Sequence, residues 1–265
     1  MAKIGLIGGS GFYELKRELK TELIETPFGT AEVALTKIGN KEVAFLPRHG
    51  KNHTIPPHLI NYRANIYALY KLGVDRLIST SAVGSLLPAV PPGSLVLPEQ
   101  FIDFTTGRPK SFFDGTFSIT LHSGRTVGGV VHTDFSTPYC PDIRSTILTV
   151  GEKLQVPIHN AGVYICTDGP RFETPAEITA FKLLGATVVG MTSVTECVLA
   201  RELGMCYATL CLVTNFAAGL QDRISIDEVF TVFKEKAFLL EAIIETTLAS
   251  LSTSQDTCKC NPYRI

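Results

Sequence analysis

Several short stretches of this chain set hydroxyl, amide, guanidinium and imidazole groups beside glycine or proline, as turns that hold oxyanions do. Gly8-Gly9-Ser10-Gly11 follows a short apolar run. Pro47-Arg48-His49-Gly50, with His53 close behind, places cationic donors ahead of Pro56-Pro57, and Thr80-Ser81-Ala82-Val83-Gly84 repeats the hydroxyl-and-glycine pattern. Taken singly, each is ambiguous. The first is either an anion cradle or a plain tight turn, and the second on its own is as ordinary as any surface loop. The dinucleotide fingerprint G-x-G-x-x-G fails at the first turn, because Glu14 occupies its sixth position and would face a pyrophosphate, and no GK[ST] follows. Further along, Arg171-Phe172-Glu173, Met191-Thr192-Ser193 and Thr214-Asn215 bring an aromatic face, a carboxylate, more hydroxyls and an amide.

The elements that must position these groups are legible around Gly162 to Gly219. Val163 to Cys166, Thr187 to Gly190 and Tyr207 to Val213 are apolar, β-branched runs of the kind buried in an α/β sheet. Between them, Thr174-Pro175 with Glu177 and Ser193 with Glu196 read as capping boxes that start helices just past strand ends. Ligands of open α/β sheets bind there, beyond the carboxyl ends of the strands. Upstream, strands are predicted at Lys3 to Ile7, Ala31 to Ile38, Glu42 to Leu46, Asp75 to Ser79, within Gly93 to Phe104, and at Thr126 to His132. Helices are predicted at Leu59 to Leu72, at Cys140 to Leu154 and from a Ser225 cap to about Leu251, with Val229, Phe233, Phe238, Leu239 and Ile243 toward the sheet. The loop from Thr105 to Gly115, with Arg108-Pro109, has no evident role, and a structural His132 is the simpler reading of that residue.

A chain of 265 residues without a linker or internal repeat suits one domain, 1–265, with a polar Cys-x-Cys tail at about 252–265. Charged residues make up 18% and hydrophobic residues 45%, a balance that fits either an oligomer or a well-filled core. With a net charge of −1 and no basic stripe, nucleic acid is not a partner, and no apolar run is long enough for a membrane span, so a cytoplasmic protein is expected. Of the 7 cysteines, Cys166, Cys197, Cys206 and Cys211 read as buried free thiols. Cys258 and Cys260 form a C-x-C pair without the further ligands nearby in sequence that a zinc site needs.

The order and spacing of GGSG at 8–11, PRHG at 47–50, NYRAN at 61–65, SAVGSL at 81–86, FIDFT at 101–105, GPRFET at 169–174, GMT at 190–192 and TN at 214–215 resemble the trimeric purine nucleoside phosphorylases and methylthioadenosine phosphorylases. The resemblance covers nearly the whole chain to about Leu251. It implies an α/β three-layer sandwich with a mixed central sheet flanked by helices, a trimer or dimer of trimers, and phosphorolysis of a purine nucleoside to free base and pentose 1-phosphate. No metal and no organic cofactor are implied, inorganic phosphate being the co-substrate. Carried over by position, Ser10, Arg48, His49, Ser81, Ala82 and Thr192 would bind phosphate. Met191 would lie under the ribose and Phe172 would stack on the base. Glu173 and Asn215 would meet the base edge, with Ala217 nearby, and His49 and Asn215 would be the catalytic groups. One departure is Thr195-Glu196, where the family usually has Pro-Glu.

Two further comparisons sharpen the expected substrate. Methylthioadenosine phosphorylases resembling this chain carry a small residue at the position of Glu173 and Asp at that of Asn215. Glu173, an acceptor when ionised, matches the N1–H of a 6-oxopurine, and the amide of Asn215 can donate to O6. At the 5′ end, Ile226 stands where related purine nucleoside phosphorylases place a histidine. With Val229, Phe230 and His132 of a neighbouring subunit it would form an apolar pocket suited to 5′-methylthioinosine. The competing expectations are a methylthioadenosine phosphorylase and, more distantly, a non-catalytic nucleoside-binding protein.

Overall fold

In a computed structural model, residues 3–9, 20–50, 53–160, 162–253, 258, 260 and 263 are described; Ser10 and Glu14 lie outside this set. The strands are β1 (Ile4–Gly8), β2 (Lys20–Thr26), β3 (Gly29–Ile38), β4 (Lys41–Pro47), β5 (Arg76–Ser85), β6 (Leu95–Val96), β7 (Gln100–Asp103), β8 (Ser118–Thr120), β9 (Thr126–Gly128), β10 (Ile158–His159), β11 (Val163–Cys166), β12 (Val188–Gly190) and β13 (Cys206–Phe216). The helices are α1 (Tyr62–Lys71), α2 (Pro141–Lys153), α3 (Pro175–Leu183), α4 (Ser193–Glu202) and α5 (Ile226–Ser250). Among the described residues, no helix is long and apolar enough to cross a membrane.

One mixed sheet of 11 strands runs in the order β10-β6-β13-β5-β1-β4-β3-β2, with β12, β11 and β7 branching from the far end of β5. The central strands are apolar on both faces and their side chains alternate between layers. On β1, Leu6 joins α2 and α5 in one core, whereas Ile7 joins α1 and α4 in another. This is the expected helix-sheet-helix sandwich.

β5 is the axis of the site. Its first half pairs in parallel with β1 (Ile4 to Ile7 against Arg76 to Ser79), and its last residues pair antiparallel with β12 (Val189 against Gly84). Between Ser79 and Gly84 one neighbour has left and the other has yet to arrive, which opens a crevice at the carboxyl ends of β1 and β4. On the other flank β13 follows β5 throughout and slips register between Val213 and Asn215. A bulge of this kind re-aims the side chains beyond it.

Several sequence expectations change. The strand predicted to reach His132 stops at Gly128, because Gly129 takes a left-handed φ of 70°. Gly93 to Phe104 is two strands, and β2, β8 and β10 carry too little apolar patterning to be seen in sequence. Phe238 is 82% exposed, since it falls on the outer face of α5, away from Phe233 and Leu240. The Thr174–Glu177 capping box forms as read, but Ser193 and Glu196 make none: α4 begins one residue earlier, from Thr192, whose side chain caps nothing. Cys258 and Cys260 are 2% and 5% exposed and pack in the α2–α5 core rather than projecting as a polar tail.

Candidate active site

The crevice is a cavity of about 480 Å³. Its floor comes from β5 (Ser81, Ala82, Val83, Gly84), one wall from β12 and the turn after it (Val189, Gly190, Met191, Thr192), and another from Thr214 and Asn215 of β13. Arg48 and His49 enter from the end of β4, Phe172 and Glu173 from the loop before α3, and Ile226 and Val229 from the first turn of α5. Of the residues singled out from sequence, Ala217, Phe230 and His132 do not line it. Ala217 is buried behind Gly84 among Leu86, Ile165 and Ile178. Phe230 sits outside the cavity, 41% exposed, its ring edge-on to His53 at 6.0 Å. His132 is exposed on this chain.

At one end the hydroxyls of Ser81 and Thr192 approach to 3.4 Å, and Thr192 opens the N-terminus of α4, the positive end of that helix dipole. The chain reaches this arrangement only because small residues stand at two contacts. A Cβ on Gly9 would lie 2.6 Å from Nη1 of Arg48, and one on Gly190 would lie 2.1 Å from the Tyr164 hydroxyl, which accepts a bond from the Thr192 N–H.

Arg48 is not a free cation aimed into the cavity. It is 2% exposed and donates from Nε and Nη2 to both oxygens of Glu196 (2.5 and 3.0 Å), from Nη2 to the Ser79 hydroxyl (2.6 Å) and from Nη1 to the Thr80 carbonyl (2.9 Å). Burial works against the charge, but Glu196 outweighs it and Arg48 is held protonated. Glu196 also accepts from Ser79 (3.0 Å) and Tyr207 (2.8 Å). The motif that reads in sequence as a helix cap is instead the counter-ion of a buried arginine, because a carboxylate gains more from a guanidinium in a dry interior than from a backbone N–H at a helix end. The pair locks the end of β4, the floor strand β5 and helix α4 to one another.

His49 is neutral at physiological pH. Burial and then the charge of Arg48 push its pKa down to about 3, while Nδ1 lies 2.8 Å from the Ile55 carbonyl, which fixes the Nδ1–H tautomer. It is therefore not the cationic donor its place in an Arg-His motif suggests.

At the opposite end Glu173 is 8% exposed, and its carboxylate accepts a bond from the Thr167 hydroxyl (2.7 Å). Burial raises its pKa above the ordinary glutamate value. The amide of Asn215 is oriented by two neighbours: Oδ1 accepts from the Thr214 hydroxyl (3.0 Å) and Nδ2 donates to the Phe216 carbonyl (2.9 Å). An amide supplies two donor hydrogens and two lone pairs, so one of each remains for a ligand.

Sequence reading misses Arg108. From the loop of unassigned role it reaches inward, 7% exposed, and donates to the carbonyls of Met191 (2.6 Å), Thr167 (3.2 Å) and Asp168 (2.7 Å) and to the Tyr62 hydroxyl (3.0 Å). It thereby ties the Met191 wall to the strand end that carries Thr167, the partner of Glu173. Arg108-Pro109 is visible in the sequence, but nothing in its neighbours signals burial.

Residues 3–249 match the Phosphorylase superfamily. The 6-oxopurine nucleoside phosphorylase of Pyrococcus furiosus is 49% identical over 253 residues, covering 95% of this chain and 92% of that protein. The probable S-methyl-5′-thioinosine phosphorylase of Methanothermobacter thermautotrophicus is 46% identical over 263 residues, covering 97% and 87%. Among solved structures, the methylthioadenosine phosphorylase of Schistosoma mansoni in complex with adenine superposes with a TM-score of 0.87 at 30% identity, covering 96% of this chain and 93% of that one. With the crevice beside β5 and a match that runs almost end to end, the chain belongs to the Phosphorylase superfamily.

Proposed function

We propose that this enzyme is a purine nucleoside phosphorylase that prefers 6-oxopurines and accepts an apolar 5′ substituent. The observation that carries the base preference is the pairing of Glu173 with the oriented Asn215 amide in one cavity. Ionised, Glu173 accepts the N1–H of hypoxanthine or guanine. The remaining N–H of Asn215 donates to O6, and its remaining Oδ1 lone pair accepts a proton borne on N7. Phosphate sits at the far end on Ser81, Thr192, the backbone near Ala82 and neutral His49, with Ser10 as a further ligand. One of its oxygens bonds to C1′ as the C1′–N9 bond breaks. The electron pair of that bond goes to the purine, and the proton of the hydrogen phosphate ends on the departing base. Holding a dianion against an oxocarbenium-like ribose supplies nucleophile and counter-charge together. Met191 underlies the ribose and Phe172 the base, no organic cofactor takes part, and Arg48 positions the phosphate site through the strands it joins.

Initial rates of phosphate-dependent base release from inosine, guanosine, adenosine, 5′-methylthioadenosine and 5′-methylthioinosine test this reading. Inosine and guanosine have a higher kcat/KM than adenosine, and a preference for methylthioadenosine would replace the proposal with the adenine-specific one. The apolar side chains of Ile226 and Val229 line the cavity, so methylthioinosine is turned over at least as well as inosine. Ile226→His lowers its kcat/KM by the ~1–3 kcal/mol that a small apolar group contributes, while sparing inosine. Rejection of methylthioinosine by the unmodified enzyme would remove the apolar 5′ pocket.

The raised pKa of Glu173 makes the proposed base preference depend on pH. A carboxyl with an elevated pKa takes up its proton at a higher pH than a surface glutamate, and only its deprotonated form accepts N1–H. As pH falls through that value, kcat/KM for inosine drops. That for adenosine drops less, because a protonated Glu173 can donate to adenine N1. The ratio of the two removes the contribution of phosphate ionisation, so a ratio that stays flat with pH would show that Glu173 does not read the base edge.

We read the assembly as a trimer or dimer of trimers working in purine salvage in the cytoplasm, in which the exposed His132 would lie near a neighbouring subunit's site. Sedimentation equilibrium measures the assembly.

A further inference from the structure

Four cysteines from three separate segments meet near the start of β13, at the other end of that strand from Thr214 and Asn215 of the catalytic crevice. Cys140 is the residue from which α2 starts, Cys206 opens β13, and Cys258 and Cys260 come from the segment after α5. All four are free and buried, and their sulfur atoms all lie within 4.8 Å of one another. Cys258 Sγ is 3.3 Å from Cys140 Sγ and 3.0 Å from Cys260 Sγ, and Cys260 Sγ is 3.5 Å from Cys206 Sγ.

Four thiolates at about 2.3 Å from a zinc ion form a tetrahedron with edges of about 3.8 Å; the contacts of 3.0 to 3.5 Å are somewhat shorter than that edge, and all four sulfurs lie within 4.8 Å of one another. A disulfide would need its two sulfurs at about 2.05 Å. The shell is apolar, with Ile143 and Ile147 of α2, Leu248 of α5 and Leu251 just after it in the same core, so an ion held here would be closed off from water, as structural zinc is.

We propose that Cys140, Cys206, Cys258 and Cys260 bind one Zn²⁺ as a structural tetrathiolate centre that fastens the segment after α5 to the start of α2 and of β13. Binding converts four thiols to thiolates and releases four protons, with no oxidant required. The centre holds the starts of α2 and β13 and the segment after α5 in place and takes no part in phosphorolysis, which runs at the other end of β13, where Thr214 and Asn215 line the cavity.

The test uses the full chain purified under a non-metal reductant and dialysed free of loose metal. Elemental analysis should give about one zinc per chain. Removal of the zinc and loading with Co²⁺ should give the sulfur-to-metal charge-transfer and visible bands of tetrahedral cobalt thiolate. Cys258→Ser/Cys260→Ser should lose the metal, bind no cobalt with those bands and melt at a lower temperature, while kcat/KM for the nucleoside stays within twofold of the unmodified value at a temperature where both are folded. Protein that holds no zinc with all four thiols open to alkylation would overturn the proposal. So would protein whose intact mass, taken without reductant, is short of two hydrogens for each of two disulfides. Cobalt bands that persist in the double variant would place the metal elsewhere and overturn it equally.

Discussion

Glu173→Ser combined with Asn215→Asp shifts the base preference from inosine toward adenosine by roughly ten- to ten-thousandfold, because each residue makes one buried polar contact of ~1–3 kcal/mol that the wrong base leaves unmade. Glu173 is buried and its carboxylate is held by Thr167, so it cannot turn away from an adenine N1 lone pair without losing that bond. Asn215 is held from both ends of its amide, which opposes the flip that would otherwise let it serve either base. An aspartate there keeps an acceptor for an N7 proton and gains one for the 6-amino group, while losing the donor to O6. The ratio of kcat/KM values for inosine and adenosine, measured on both single variants and on the double, reads the effect. The reading fails if the double variant keeps the original ratio, or if the unmodified enzyme already turns over adenosine as well as inosine.

Arg48→Ala costs about 3–5 kcal/mol of folding stability, the scale for stranding one partner of a buried ion pair. The charge left behind is Glu196, whose side chain is 2% exposed and which would keep only Ser79 and Tyr207 as donors. Because the pair joins β4, β5 and α4, the phosphate end loosens too, and KM for phosphate rises more than KM for nucleoside. Arg48→Met with Glu196→Leu recovers much of the stability, since replacing both charges by apolar groups removes the stranded ion. It does not recover the phosphate KM. Chemical denaturation of the two single variants and the double gives the coupling, and steady-state kinetics give the KM values. Should Arg48→Ala raise the phosphate KM with no loss of stability, Arg48 would be a direct ligand rather than a strut.

The separation between these two roles marks where sequence reading ends. Strands of apolar, β-branched residues, the Thr174 cap and the turns at 47–50 and 191–193 were legible, because each is a local pattern whose physics is complete within a few residues, whereas 80–84, read as a turn after a strand ending at Ser79, continues β5 to Ser85 because β13 pairs with it throughout. Their order and spacing carried the family resemblance that implied the layered fold and the kind of chemistry, and the proposed base preference was drawn from two residue types, Glu173 and Asn215, whose burial and orientation only the fold supplies. What the sequence could not disclose is which polar group faces which. Glu196 looks like a helix cap until β4 is laid beside β5, where Arg48 meets it at 2.5 Å. The charge expected of His49 vanishes once burial and that arginine act on it. Arg108, an unremarked loop residue, becomes the tie between two walls of the site. Cys258 and Cys260, with no further cysteine or histidine in their own segment, meet the thiols of Cys140, 118 residues from Cys258, and of Cys206, 54 residues from Cys260. Each of these is a contact between segments far apart in the chain. Its energy depends on distance and on the exclusion of water, and both are properties of the packed sheet and helices rather than of any stretch of residues.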